Sequence, residues 1–178
     1  MRSSPIGVAS LVLVGLLAGP ALGQEVVREE VEGIRNFARV GTTIACAGAI
    51  TTAAVPEIQR MGFSSIINLR RASEPGANVE QEAAAAAAVG LKYFHIPYDG
   101  SADPAVAEEF LDTITSDGVE PAFVHCSIGS RASTMWLIKR IAVDGWDVDR
   151  ATEEAVALGQ RNLAAREFAI DYAQTNRR

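Results

Sequence analysis

Two hydrophobic patterns take turns along this chain. Short, mainly apolar runs at 63–69, 91–96 and 121–124 carry residues such as Ile66, Ile67, Leu69, Phe94, Phe123 and Val124, and they predict buried strands of the parallel type. Between them the apolar residues recur three or four apart, which predicts helices. Val55, Ile58 and Met61 follow a possible cap at Thr51-Thr52 and stop at Gly62. An alanine-rich helix is expected over 79–89, ending at Gly90, and another over 104–116 with Val106, Phe110 and Ile114 turned inward. A further helix through 133–141 buries Met135, Ile138 and Ile141, and a last one runs over 148–158 to Gly159. The earlier stretch 37–49, with Val40, Thr42, Thr43 and Ile44, predicts one or two short strands. Strand and helix alternate, so the expected fold class is α/β with a largely parallel central sheet flanked by helices. In such sheets the ligand site lies at the carboxyl ends of the strands.

The 178 residues allow one domain with a proper core. That domain is expected over 37–160, preceded by a charged, flexible entry segment at 24–36 and followed by a charged helical tail at 161–178. Residues 1–23 read differently. Arg2, an apolar stretch too short to span a bilayer and the small-residue pattern Ala21-Leu22-Gly23 predict a secretory signal. The mature protein is then exported, periplasmic or secreted, with no membrane contact once the signal is removed.

The chain is acidic, with a formal charge of −6, and its basic residues are adjacent only in the pairs Arg70-Arg71, Lys139-Arg140 and Arg177-Arg178. That argues against nucleic acid as a partner. Two cysteines, Cys46 and Cys126, are too few for a disulfide scaffold, and His95 and His125 lack metal-ligand spacing. No metal or other cofactor is expected.

The chemistry concentrates at Val124-His125-Cys126-Ser127-Ile128-Gly129-Ser130-Arg131. A cysteine stands where a strand ends, a small loop with one glycine follows, and a helix begins. Backbone N–H groups and the positive end of a helix dipole converge there, which favours both a thiolate and an arriving anion. Arg131 adds a planar guanidinium suited to tetrahedral oxyanions. Cys126 is therefore the candidate nucleophile, Arg131 the phosphate clamp, and Ser127, Ile128, Gly129 and Ser130 the cradle. His125 is expected to orient the loop. An acid for the leaving oxygen has two candidates, Asp99 and Asp103. Asp103 precedes Pro104 at a helix start and already has a capping duty, so Asp99 is the expected acid.

The sequence His-Cys-x-x-Gly-x-Arg resembles the active loop of the tyrosine and dual-specificity phosphatases. Four residues separate Cys126 from Arg131, whereas those enzymes usually have five. Four is the spacing of the rhodanese-type sulfurtransferases and of a bacterial phosphatase-like branch, the beta-lactamase-hydrolase-like or DUF442 group. The resemblance to that branch extends over about 39–159, through Met61-Gly62-Phe63, Ile67-Asn68-Leu69-Arg70, Gly90-Leu91-Lys92-Tyr93 and His95-Ile96-Pro97. It implies a cysteine-dependent phosphatase fold, a cysteinyl-phosphate intermediate, and a phosphorylated protein or small phosphomonoester as substrate. The hydroxyl residue usual after the Arg is replaced by Ala132, leaving Ser130 or Ser133 as substitutes. Two other readings use the same loop: a sulfurtransferase carrying a Cys126 persulfide, and a phosphate-binding module without catalysis. By the same resemblance Cys46 approaches the loop, where it is either a small core residue or a reversible disulfide partner of Cys126.

Overall fold

The computed structural model describes residues 25–178, and the leader expected at 1–23 lies outside the described residues. Six strands form one sheet: β1 (Val26–Arg28), β2 (Ala38–Val40), β3 (Ile44–Ala47), β4 (Ser65–Asn68), β5 (Lys92–His95) and β6 (Ala122–His125). Their order is β1-β2-β3-β6-β4-β5, antiparallel through β1, β2 and β3 and parallel from β3 onward. The helices are α1 (Val55–Arg60), α2 (Val79–Ala88), α3 (Pro104–Ile114), α4 (Ser130–Ala142), α5 (Val148–Leu158) and α6 (Leu163–Thr175). The fold is α/β, mostly parallel and flanked by helices, as the alternation of patterns predicts.

Each central strand is buried on both faces, which explains why these runs are mainly apolar rather than alternating. Ile44, Cys46, Ile67, Ala122 and Val124 join the core on the side of α3 to α6. Ala45, Ala47, Ile66 and Phe123 face the smaller core with Val55 and Ile58 of α1 and Ala86 of α2. Phe123 lies between Phe37 and Phe63, with ring centroids 6.1 and 5.8 Å away. Burying each of these isoleucines or aromatics contributes about 2 kcal/mol.

α4 is the central helix, buried along nearly its whole length, including Met135, Trp136, Ile138 and Ile141. It begins three residues earlier than its apolar spacing shows, because Ser130, Ala132 and Ser133 are small enough to bury beside the loop. Near its far end, Arg140 lies over the rings of Trp136 and Trp146 and pairs with the buried Glu154, which also accepts from Trp136 Nε1 at 2.7 Å.

The two ends of the chain differ from expectation. The entry segment is tied down: β1 pairs with β2, and Ile34 is buried. The expected C-terminal helix is packed on the domain: Ala165, Ala169 and Ala173 are buried as a small-residue stripe, the last two within the main core. Its charged residues hid a stripe of alanines that carries little hydrophobic signal.

The parallel register brings Ala47, His125, Asn68 and His95 to one edge of the sheet. The loops that follow β4, β5 and β6 leave from that edge together.

Candidate active site

Four segments line one cavity of about 530 Å³. The loop after β4 brings Arg71 and Glu74, the loop after β5 brings Asp99 and Gly100, and the loop after β6 brings Ser127 and Ile128. Ser130, Arg131 and Thr134 come from the first turns of α4, and Arg161, Asn162 and Ala165 from the turn into α6.

Cys126 is fully buried, next in sequence to the cavity-lining Ser127, its backbone N–H bonded to Ala47 O at 3.1 Å. The Gly129 N–H points at Cys126 Sγ from 3.1 Å. Gly129 is the residue before α4 and has φ +100°, a left-handed conformation that favours glycine, so the turn that aims this N–H depends on it. Helix geometry leaves the N–H groups of Ser130, Arg131 and Ala132 without intrahelical acceptors, and their dipole end faces the same point. The loop is held from behind by Asn36 Nδ2 on Ile128 O at 3.0 Å and by Ala49 N–H on Ser127 O at 3.1 Å. At Gly48 an added Cβ would meet Arg35 O and Ser127 O at 3.0 Å, both backbone atoms. Gly48→Ala is expected to push the loop outward, costing roughly 1–3 kcal/mol as overpacking does, together with lost turnover. Thermal melting and activity measured on the same sample check this.

Arg131 is gripped. Glu74 takes two parallel hydrogen bonds from its Nη1 and Nη2, at 2.7 and 2.8 Å. Nη1 also donates to Leu69 O at 3.2 Å and to Tyr98 O, and Nη2 to Ser127 Oγ at 3.1 Å. The Arg131 hydrogen bonds, with an added contribution from Arg70 and the Arg71 N–H, hold the Glu74 carboxyl down at about 2 even though burial opposes this. Burial alone would lower the Arg131 guanidinium; Glu74 and the neighbouring Cys126 outweigh it and push it up. A fixed cation therefore faces the thiol-bearing loop.

Asp99 stands exposed on the opposite side, one residue after the Tyr98 carbonyl that accepts from Arg131. Ser101 hydrogen bonds, through its side chain and its N–H at 2.8 Å, hold the Asp99 carboxyl below its ordinary value, and Arg71 adds to this. Asp103 caps α3, accepting from the N–H groups of Ala105 and Val106. Asp103 thus has the capping duty expected of it.

A family model for the phosphatase-like domain of beta-lactamase hydrolase-like proteins matches residues 36–143. The chain belongs to this family. It is 35% identical over 112 residues to the beta-lactamase hydrolase-like protein of Agrobacterium fabrum (strain C58 / ATCC 33970), an alignment covering 60% of this chain and 25% of that protein. The chain thus spans about a quarter of the length of the curated relative it matches. Among solved structures, a DUF442 protein from Shewanella putrefaciens CN-32 superposes with TM-score 0.67 at 17% identity, covering 82% of this chain and 96% of the other. P. aeruginosa TpbA in complex with phosphotyrosine superposes with TM-score 0.61 at 18% identity, covering 88% and 91%. The fold is that of the cysteine-dependent phosphatases.

Within this phosphatase-like domain the remaining expected residues take different places. Alternation along β6 puts Val124 and Cys126 toward α4 and His125 toward α2. There His125 Nε2 lies 3.2 Å from Glu82 Oε2, both side chains fully buried, at an angle that makes no regular hydrogen bond. The same Glu82 oxygen accepts from Asn68 Nδ2 at 2.8 Å and Tyr93 OH at 3.1 Å. His125 thus supports the loop from beneath. Ser133 turns its hydroxyl back to Gly129 O and Ser130 O, and Ser130 Oγ accepts from the Arg161 N–H. Both hydroxyls brace the loop backbone rather than assist the thiol. Cys46 and Cys126 are free and buried, facing the same side of the sheet. Burial first, then the charges of Cys126 and Glu154, push the Cys46 thiol up.

Asn36, Glu74, Glu82 and Arg161 belong to the phosphatase-like domain's site or its support and were not singled out from sequence. Glu74 carried a usable signal, being a carboxylate in a loop that follows a parallel strand. Glu82 carried little, since a glutamate in an alanine-rich helix reads as solvated. Among the described residues, no group of three or more His, Cys, Asp or Glu side chains is placed to hold a metal ion.

Proposed function

We propose that the chain is an exported, cysteine-dependent phosphatase that hydrolyses phosphate monoesters of the tyrosine or dual-specificity type. The observation that carries this is the convergence on one cavity of the Cys126 loop, the Glu74-braced Arg131 and Asp99. Cys126 attacks phosphorus as a thiolate, forming an S–P bond as the P–O bond to the leaving group breaks. The loop N–H groups and Arg131 hold the equatorial oxygens, whose charge they meet without reorganisation. Asp99 gives its proton to the departing oxygen. In the second step the Asp99 carboxylate takes a proton from water, the water oxygen bonds to phosphorus, and the S–P bond breaks to release phosphate and the thiolate.

The substrate is a phosphorylated protein or a small phosphomonoester. The likeness in fold to TpbA bound to phosphotyrosine supports the aryl phosphates within that class. Export rests on the leader expected at residues 1–23 from their sequence.

Asp99→Asn tests the acid. Turnover of an alkyl phosphate, a poor leaving group, is expected to fall by about 10²–10⁴-fold, and that of an activated aryl phosphate by less. As the acid of the first step Asp99 must be protonated, and its carboxyl is held low, so wild-type kcat/KM should fall as pH rises from the acid side. The asparagine variant should lose that limb. A pH profile that keeps the limb in Asp99→Asn would assign the acid elsewhere.

The spacing of four residues between Cys126 and Arg131 favours one other reading, a sulfurtransferase that accepts sulfane sulfur on Cys126. Thiocyanate formed from thiosulfate and cyanide, dependent on Cys126 and indifferent to Asp99, would identify it.

A further inference from the structure

Arg161 lines the same cavity as Arg131 but lies 30 positions further along, in the turn between α5 and α6. Its place is fixed by three contacts. The backbone N–H donates to Ser130 Oγ at 3.1 Å, and Nη1 donates to Val156 O at 2.8 Å and Gln160 O at 2.7 Å. All three acceptors are neutral. Among the described residues, no carboxylate forms an ion pair with Arg161, whereas Arg131 is matched to Glu74 and Arg71 lies 3.8 Å from the same Glu74. In a chain of net charge −6, an ordered and uncompensated guanidinium beside a phosphate-binding loop is unusual. Apolar side chains are exposed near it, Ile128 in the cavity lining and Leu163 outside that lining. Ile128 and Leu163, 50% and 62% exposed, are two of the three large hydrophobic side chains left exposed among the described residues. One lies in the active loop and the other two positions after Arg161. A phosphate ion occupies only a small part of about 530 Å³, so the rest of the cavity is available to the leaving group.

We infer that Arg161 forms a second anion subsite, and that the preferred substrate carries two anionic groups joined by a short, partly apolar spacer. This rests on the phosphatase reading. The scissile phosphate sits on the Cys126 loop, and a second phosphate or carboxylate of the leaving group takes the Arg161 hydrogen-bond donors not pinned by carbonyls. Ser130 then has a clear part: it ties the loop to the turn and sets the separation of the two cations.

The test uses butanediol bisphosphate and butyl phosphate, with inorganic phosphate as reference. Each is titrated calorimetrically into the full chain bearing Cys126→Ser, so that nothing turns over. The bisphosphate is expected to bind about tenfold more tightly than the monophosphate, the worth of one charge-assisted contact. Adding Arg161→Ala should remove that ratio, and Arg161→Lys should restore part of it. Equal affinities for the two ligands, or an Arg161→Ala change that weakens both alike, overturns the subsite. Inorganic phosphate separates the two levels: if it binds, and binds less when Arg131 is replaced, the loop reading stands whatever Arg161 does. A failure of inorganic phosphate to bind sinks the loop reading itself.

Discussion

Cys126→Ser is expected to abolish hydrolysis of aryl phosphates, lowering kcat by at least about 10⁴-fold, the scale of loss seen when a covalent nucleophile is removed. A serine hydroxyl fits the buried position, and the Gly129 N–H that points at the sulfur can point at an oxygen. Without a nearby general base the hydroxyl stays protonated and inert. Phosphate binding should survive, because the N–H groups and Arg131 do not depend on sulfur. Melting temperature and phosphate affinity measured beside the rate separate a chemical loss from a folding loss. Residual turnover within tenfold of wild type would move the nucleophile to another residue.

Glu74→Ala is expected to lower kcat by about 100-fold, as misplacement of a catalytic group by an ångström does. Arg131 would keep its contacts to Leu69 O, Tyr98 O and Ser127 Oγ, but lose the two parallel bonds that fix the plane of its guanidinium. Removing a carboxylate also frees a cation for phosphate, which acts in the opposite direction. A higher kcat with a lower KM would show Glu74 to be a competitor of the substrate rather than a brace. The pair also sets an acid limit. The Glu74 carboxyl titrates near 2 in the folded chain against an ordinary 4.5, so the folded state holds the carboxylate more firmly than the unfolded state. Its stabilising contribution is complete above about 4.5 and is lost as pH falls toward 2. The gap in melting temperature between wild type and Glu74→Ala should therefore narrow over that window.

Much of this was legible in the amino-acid order. The parallel strands announced themselves because both faces are buried, and the nucleophile loop because a strand, a cysteine, a glycine and an arginine occur in a fixed order. Asp99 was separable from Asp103 because Pro104 explains one aspartate and leaves the other free. What stayed hidden depends on pairings between distant segments. Glu74 meets Arg131 across 57 positions, and Asn36 reaches Ile128 across 92, and no local pattern encodes either. α6 was read as a tail because its buried stripe is alanine, whose burial adds little to a hydrophobic period. His125 was expected only to orient the loop; its buried neighbour Glu82, 43 positions earlier on α2, is another pairing that no local pattern encodes.

The most direct test of the central claim is to trap the intermediate. Asp99→Asn slows the second step, in which water must lose a proton, so covalent enzyme should accumulate while an activated aryl phosphate is consumed. The reaction is quenched in acid, digested, and the peptide carrying Cys126 is weighed. The account predicts the added mass of one phosphoryl group on Cys126, absent in Cys126→Ser. Turnover without any phosphoryl adduct, or a sulfur adduct formed from thiosulfate in its place, would contradict it.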